Sequence, residues 1–268
     1  GRDHRHRTPG LVAARQQGGD RCGAGRRHPQ SRLHVQVTHR GADLGGAEVA
    51  AGYQSPQAQR EARVSWGTRL DSGIDVLLSA SAVQTRGEDR FMTFGSSDTP
   101  SGIAAGLDAD RNRQLFVRLA RGPWSFEHVY GGRRKQDPTG AYFSDPLVPG
   151  QYQGDRYAVT QLQYEDTSDD ARWQFSGRLF AGKERYTSQL SYGTLYSFPG
   201  WSDWRGFDLR LLSTAVAGHK LLLGVEGQDD TRVEQAILDL ADPANNLLIR
   251  SPGHRIGVYV QDEWRIAE

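Results

Sequence analysis

Residues 171–180, with the sequence ARWQFSGRLF, alternate apolar and polar side chains with a period of two. In an extended chain, successive side chains point to opposite faces. Trp173, Phe175 and Leu179 therefore share one face, and Gln174 lies on the other. The pattern predicts a β-strand between two different environments, because a helix would need apolar residues every three or four positions.

Comparable alternation recurs along the chain and predicts an all-β, antiparallel fold of about ten strands. The segments centre on about 9 to 11 residues, the length that a tilted strand needs to cross a bilayer. They exceed the usual 5 or 6 residues of soluble strands. We expect strands near 46–54, 58–69, 74–84, 113–120, 124–133, 155–164, 171–180, 206–216, 220–229 and 254–265.

The predicted connections alternate in length after the first hairpin. Tight turns are expected at 70–73, 121–123, 165–170 and 217–219, and long loops at 85–112, 134–154, 181–205 and 230–253. Loops above about 12 to 15 residues are uncommon in compact soluble domains. Short turns at one rim and long loops at the other are typical of a transmembrane β-barrel of the outer membrane.

Four of the six tryptophans fall at the same end of the predicted strands. Trp66, Trp124, Trp173 and Trp264 all lie next to a tight turn or at the corresponding end of the last strand. Barrels carry such aromatic girdles at the membrane interface. We therefore predict a membrane girdle of these four residues. The alternative is a soluble β-sandwich, which would bury its large aromatic side chains in mid-strand.

The composition excludes several other classes of protein. The chain has 268 residues and a mean hydropathy of −0.65. No stretch approaches the roughly 18 consecutive apolar residues of a membrane-spanning helix, which excludes a helical membrane bundle. The single Cys22 excludes an internal disulfide framework and a thiolate-rich metal site. We expect no cofactor and no resident metal.

Residues 1–34 form a basic low-complexity segment with no hydrophobic periodicity. Residues 1–40 hold nine Arg against two Asp, whereas residues 41–268 hold 24 basic and 30 acidic residues. The segment fits a disordered tail, a basic arm, a metal chelate of His4, His6 and His28, or an out-of-frame stretch, and we favour the last. Because no aromatic residues are interleaved with the arginines, we expect no nucleic-acid partner.

Three short runs resemble one known family. Val37–Asp43, followed by 46–53 (GAEVAAGY), resembles the junction where the plug of a TonB-dependent outer-membrane receptor enters its first barrel strand. Residues 257–264 (GVYVQDEW) look like a frequent barrel strand of that family, and 222–226 (LLGVE) is similar to the strand before it. The resemblance makes residues 35–45 an end-of-plug remnant and 46–268 the N-terminal part of the barrel.

The resemblance implies active uptake of a metal chelate of the ferric siderophore, haem or cobalamin class. Family members enclose a plug in a 22-stranded barrel and take energy from the TonB complex. We find about ten strands here and no TonB-contact segment, and we interpret the chain as a receptor fragment. Unpaired strand edges cost several kcal/mol per backbone group in lipid. We therefore expect that the chain alone neither inserts stably nor transports.

Ligand contacts in such a receptor are expected from the long loops and the lumen. Aromatic rings and arginines suit a planar, anionic chelate through stacking and charge-assisted hydrogen bonds. The loop candidates are Phe91, Phe94, Arg134, Tyr142, Phe143, Tyr196, Phe198, Trp201 and Trp204, and the lumen candidates are Arg118, Arg172, Arg178 and Arg210. The run 196–204 (YSFPGWSDW) is the densest aromatic cluster and the strongest single candidate.

No catalytic motif emerges from the sequence, so we do not expect an enzyme. His128, His219 and His254 lie in different elements, and no Ser or Cys nucleophile accompanies them in a recognisable turn. Two other functions stay open beside the receptor. A passive porin or structural barrel would share the architecture, and a secreted β-sandwich could bind sugars through Trp201 and Trp204.

Overall fold

Long strands joined by hairpins in sequence order form an antiparallel sheet in the computed structural model, which describes residues 41–94 and 101–266. The elements are α1 (Gly41–Leu44), β1 (Gly46–Gln54), β2 (Gln59–Arg69), β3 (Asp75–Thr85), β4 (Arg90–Met92), β5 (Gly102–Ala104), β6 (Asp110–Arg121), β7 (Trp124–Gln136), β8 (Tyr152–Thr167), β9 (Trp173–Ser191), β10 (Leu195–Ser197), β11 (Gly200–Ser213), β12 (His219–Asp239), β13 (Leu247–Arg250) and β14 (Gly253–Trp264). Short 3-10 turns occupy Ala141–Phe143 and Pro243–Asn245. The interpretation of residues 1–34 and most of the predicted plug remnant lie outside the described residues.

Each of the ten predicted strands is present, and the all-β prediction is confirmed. The long strands pair in the order β1-β2-β3-β6-β7-β8-β9-β11-β12-β14, each antiparallel to its neighbour. The short β10 joins β9 and β12, β13 pairs with β12, and β4 and β5 form a separate hairpin. Within the described residues, β1 and β14 each pair on one side only.

The predicted bounds of the long loops are wrong, because the strands continue into them. β9 extends to Ser191, β11 begins at Gly200 and β12 reaches Asp239, so most of the expected loop 181–205 is strand. The alternation that predicts a strand is lost there, since Lys183 and Arg185 lie on the face that is apolar lower in β9, whereas Tyr186 lies on the other. The backbone ladder continues nevertheless, because each strand still has a paired neighbour on both sides.

The four predicted tight turns lie at one end of the sheet, whereas the turn of the first hairpin, 55–58, lies at the other. The four turns connect β2 to β3, β6 to β7, β8 to β9 and β11 to β12. Gly73 and Gly122 stand in two of them with φ of 79° and 55°, which is the left-handed region that favours glycine. The longer connections lie at the other end. We call the two ends the short-turn end and the loop end.

The sheet separates apolar from polar side chains across its whole width. Registered partners share a face, so Trp66, Leu78 and Val117 follow one another on neighbouring strands of what we call the apolar face. On the strands that follow, the apolar face includes Leu179 on β9 and Val258 on β14. The opposite side, the polar face, carries mostly Ser, Gln, Glu, Asp and Arg, with some apolar side chains such as the row Phe116, Val129 and Val159.

The apolar face is exposed rather than covered by a second layer. Leu179 is 58% exposed and Val258 is 77% exposed. Buried apolar side chains among the described residues are Val76, Leu77, Ala104, Leu107, Leu190 and Ala236, most of which lie near the loop end. No helix in the described part of the chain is long and apolar enough to cross a membrane.

Candidate functional site

Three of the four predicted lumen arginines lie on the polar face. Arg118 donates to Glu127 on β7 at 3.1 Å, and Glu127 also accepts from Gln161 on β8 at 2.7 Å. Arg178 and Arg210 contact the same carboxylate, that of Asp208. Except for the pair Arg210–Asp208, which lies within β11, these bonds cross from strand to strand and tie the polar face together laterally.

The fourth predicted lumen residue, Arg172, lies elsewhere. It precedes β9 in the turn after β8, and its side chain is 63% exposed beside Asp170. The Ser168 hydroxyl and the Arg172 backbone N–H both donate to Asp170, and these hydrogen bonds lower the pKa of that carboxyl. Arg172 is therefore part of a turn at the short-turn end and does not line the polar face.

A cleft of about 520 Å³ opens on the polar face at the loop end. The β4–β5 hairpin, β7, the connection after β7 and β8 all contribute to its walls. Its lining is mostly charged or polar and consists of Arg90, Met92, Asp108, Arg133, Lys135, Gln136, Asp137, Pro138, Thr139, Ala141, Gln153 and Asp155. This cleft is the best-defined candidate for a ligand site in the described residues.

Ion pairs organise the cationic side of this cleft. Asp108 lies between two cations, with Lys135 Nζ at 3.2 Å and Arg90 Nε at 3.3 Å. Arg133 makes a bidentate contact with Asp110, with Nη2 at 2.6 Å from the carboxylate. All three cations of the lining are therefore paired with carboxylates, and an anionic ligand would bind them only by displacing those carboxylates.

Asp137 shapes the floor of the cleft where the chain leaves β7. Its carboxylate accepts from the backbone N–H groups of Thr139 at 2.8 Å and Ala141 at 2.9 Å, and from the Thr139 hydroxyl at 2.6 Å. Asp137 is buried, so this turn is fixed by side chain to backbone bonds. The chain then turns outward into the 3-10 turn that carries Tyr142 and Phe143.

Two of the predicted aromatic residues join an aromatic cluster at the loop end. Tyr196 and Phe198 pack with Tyr192, with ring centroids 6.0 to 6.4 Å apart. The negative charge of Asp239 raises the pKa of Tyr196, and burial raises the pKa of Tyr192. Tyr192 is exposed and the other two residues are half-buried, so the cluster lies at the surface of the loop end.

The two tryptophans of the run 196–204 do not form one cluster, and the prediction that they lie together in a loop is wrong. Trp201 and Trp204 belong to β11 and point to opposite faces. Trp201 lies on the same side of the sheet as the apolar face, with Arg232 4.9 Å from its ring, whereas Trp204 covers Gly182 on the polar face. A Cβ at Gly182 would overlap the indole, so the glycine is what admits the ring.

The other predicted loop candidates are spread around the loop end. Arg134 belongs to β7 and stacks on Tyr152, with its guanidinium 3.6 Å from the ring centroid. Phe91 points away from the cleft, because its strand neighbours on both sides line it. Tyr142 and Phe143 are exposed, Phe143 fully, and Phe94 follows β4 with its N–H donating to Ser101.

The predicted girdle residues share one face and one end. Trp66, Trp124, Trp173 and Trp264 all lie on the apolar face at the short-turn end, and each is partly exposed. His219 stacks on Trp264 with ring centroids 5.5 Å apart. The row drifts along the register from strand to strand, which is what a level belt on tilted strands requires.

Sequence reasoning missed the charged residues of the cleft, chiefly Arg133, Lys135 and Asp108. The alternation of the predicted strand 124–133 already places Arg133 on the same face as Glu127, and continuing it by two residues would have placed Lys135 there. Among the described residues, no group of three or more His, Cys, Asp or Glu is arranged to hold a metal ion. No protein-family model, curated protein or solved structure matches this chain.

Proposed function

We propose that residues 46–268 form part of the wall of an outer-membrane β-barrel and that the barrel is a receptor for metal chelates. The observation that supports the membrane wall is the division of every long strand into an exposed apolar face and a polar face. The four tryptophans on the apolar face at the short-turn end add a second, independent feature. A bilayer is the environment that covers such a face, with aromatic residues at its boundary.

The same observation weighs against a secreted β-sandwich. A sandwich buries one face of each sheet against the other, with a core about 10 Å thick. Here the apolar side chains of β14, such as Ile256 and Val258, are among the most exposed. The sheet that could cover them is not found among the described residues.

The receptor part of the proposal rests on the family resemblance of 37–53 and 257–264 and on the cleft at the loop end. Three cations, Arg90, Arg133 and Lys135, line that cleft beside exposed aromatic residues of the same rim. In this proposal a metal chelate binds at the loop end and passes along the polar face by Arg118, Arg178 and Arg210. The TonB complex would supply the energy in the intact receptor.

The membrane wall is tested with single-tryptophan variants in detergent whose acyl chains carry bromine. A chain retaining only Trp173 should be quenched strongly, because Trp173 lies on the apolar face. A chain retaining only Trp204 should be quenched weakly, because that ring covers Gly182 on the polar face. Equal quenching of the two, or a chain that is monodisperse without detergent, would overturn the proposal.

The receptor is distinguished from a passive porin by uptake in cells that carry the gene in its natural reading frame. Accumulation of a ferric chelate should require both the gene and an intact TonB system. A Lys135→Gln variant should bind the chelate more weakly, whereas Lys220→Gln, on the polar face at the short-turn end, is the matched control. Uptake that persists without TonB would favour the porin.

A further inference from the structure

Six cations lie together on the outward side of β6 to β9, above the apolar band. They are Arg111, Arg113, Arg134, Arg156, Lys183 and Arg185, and we call them the basic patch. Registered pairing puts all six on the apolar side of the sheet, since Arg113 stands opposite Gly132, which stands opposite Arg156. The patch is therefore separate from the cleft, whose cations point to the polar face.

The patch sets like charges directly against each other. Arg111 stands opposite Arg134, and Arg156 stands opposite Arg185. Like charges in directly opposed positions of an antiparallel pair destabilise the sheet. The repulsion occurs on two strand pairs, β6–β7 and β8–β9. An anion that contacts several of these cations at once would reduce it.

The protein itself supplies little negative charge here. Arg185 is paired with Asp203 at 2.6 Å, and Arg134 stacks on Tyr152. Arg111, Arg113, Arg156 and Lys183 are exposed, and they make no ion pair within the described part of the chain. Apart from Asp166 at the short-turn end, this face of β6 to β9 carries no acidic side chain.

Two glycines lie at the centre of the patch. Gly132 lies between Arg113 and Arg156 in the register, and Gly154 lies opposite Arg134. The Arg156 stem and the Tyr130 hydroxyl lie over Gly132, so the glycine lets the Arg156 side chain lie close to the sheet beside Arg113. Guanidinium groups bind phosphate with two parallel hydrogen bonds, so neighbouring arginines can contact one phosphate together.

The position of the patch identifies the source of the phosphate. Leu115, Tyr130 and Ala158 lie directly below it on the same face. Trp124 and Arg134 stand near the two ends of β7. Their separation of about ten residues corresponds to about 25 Å along the normal for a strand tilted by about 40°, which is the height of a barrel's apolar band. The patch thus lies at the level of lipid headgroups at the loop end.

We propose that the basic patch binds the phosphorylated headgroup of a lipid in the leaflet at the loop end. This inference rests on the proposed membrane wall, because only a bilayer brings headgroups to this level of the sheet. Cations near an anionic lipid surface each contribute about a factor of five to binding. A site with several of them selects multiply phosphorylated headgroups over zwitterionic ones.

The test measures lipid binding to the whole chain in dodecyl maltoside micelles, which cover the apolar face without adding charge. The probe is a bisphosphorylated glycolipid, compared with the same lipid after removal of both phosphates. The double variant Arg113→Gln/Arg156→Gln should lose about 30-fold in affinity for the bisphosphorylated lipid. The control, Arg69→Gln/Arg121→Gln, removes two exposed cations at the short-turn end and should bind like the parent chain.

Each outcome has a distinct meaning. Equal affinity of the parent chain and the patch variant, with Trp173 still quenched by brominated detergent, would overturn the headgroup site and leave the membrane wall standing. A chain whose Trp173 is not quenched would overturn the membrane wall itself. Displacement of the lipid by inorganic phosphate at equal concentration would show a free-phosphate site and overturn the lipid assignment.

Discussion

The lower part of the sheet and its loop end are stabilised in different ways. The strand body, which we define as the ten long strands from the tight turns up to the basic patch, has two contrasting faces and few buried side chains. The loop end contains the β4–β5 hairpin, the connection 137–151 and the upper parts of β9 to β13. It has an interior of its own, with Ala104 and Leu107 almost fully buried.

Hydrogen bonds show the same difference. In the strand body, polar side chains pair across strands on one face, as Ser65 does with Ser79 at 2.8 Å. In the loop end, buried polar side chains bind backbone groups of distant segments, as Gln151 does with Asp145 and Ser191. The strand body therefore depends on its surroundings to cover its apolar face. The loop end instead buries polar groups of its own and pairs most of them, although the hydroxyls of Ser144 and Ser188 are buried without a hydrogen-bond partner.

The largest expected effect comes from placing a charge on the apolar face of the strand body. Leu179→Arg should destabilise the folded chain in detergent by about 2 to 4 kcal/mol, the cost of a cation near the middle of the apolar band. The measurement is the free energy of unfolding by urea, followed by strand circular dichroism. Because the apolar face depends on its surroundings, we expect this loss of stability only when an apolar solvent covers the face.

Gln174→Arg is the matched control on the same strand. Gln174 is exposed on the polar face and stands opposite Thr167 and Leu212, so no like charge directly opposes the new cation. We expect a change within about 0.5 kcal/mol. If both variants lose the same stability, the two faces do not differ in environment and the comparison fails.

The strand body was the part that sequence could predict. Alternation identifies each face without knowledge of the partner strand, so Trp173, Phe175 and Leu179 were placed correctly from ten residues. Trp66 and Trp264 could be assigned to the same end because hairpin order fixes strand direction. These inferences need only local periodicity and the rule that consecutive strands pair.

A middle-sized effect is expected from removing one buried hydrogen-bonding group at the loop end. Gln151 is 1% exposed, and its amide donates to the Asp145 carbonyl at 2.7 Å and accepts from the Ser191 N–H at 2.9 Å. Gln151→Met keeps the volume but leaves both backbone groups unpaired. The cost should be about 1 to 3 kcal/mol, measured by urea unfolding.

Gln151→Met also tests whether the loop end and the strand body are stabilised independently, because its effect should be confined to the loop end. Limited proteolysis within 137–151 should become faster, while quenching of Trp173 by brominated detergent should not change. Gln114→Met is the control, since Gln114 is exposed on the polar face of the strand body. Loss of Trp173 quenching in the Gln151 variant would show that the two regions do not fold independently.

The loop end could not be predicted in the same way. Asp137 and Gln151 bind backbone groups through contacts that depend on where the chain turns, and no period reveals them. Trp201 and Trp204 were expected together because they are close in sequence, but a strand places neighbours at odd spacing on opposite faces. The upward extension of β9 and β11 could not be inferred because charged and aromatic residues occur on both faces there, without a period of two.

The smallest expected effect is a pH dependence confined to the loop end. Asp239 accepts hydrogen bonds from the Asn245 side chain and from the backbone N–H groups of Asp242 and Ala241, and these bonds lower the pKa of its carboxyl below the usual 3.8. A lowered pKa in the folded state means that the stabilisation is complete above the unfolded value and is lost as the pH falls through the folded value. Amide exchange at Ala241 and Asp242, corrected for intrinsic rates, should therefore stay slow from pH 7 to about 4 and accelerate below that.

Asp239→Asn should abolish the acid-dependent step, and Asp169→Asn, in a turn of the short-turn end, should preserve it. An acid-dependent step that survives in the Asp239 variant would assign the titration to another group and remove this carboxylate from the account of the loop end.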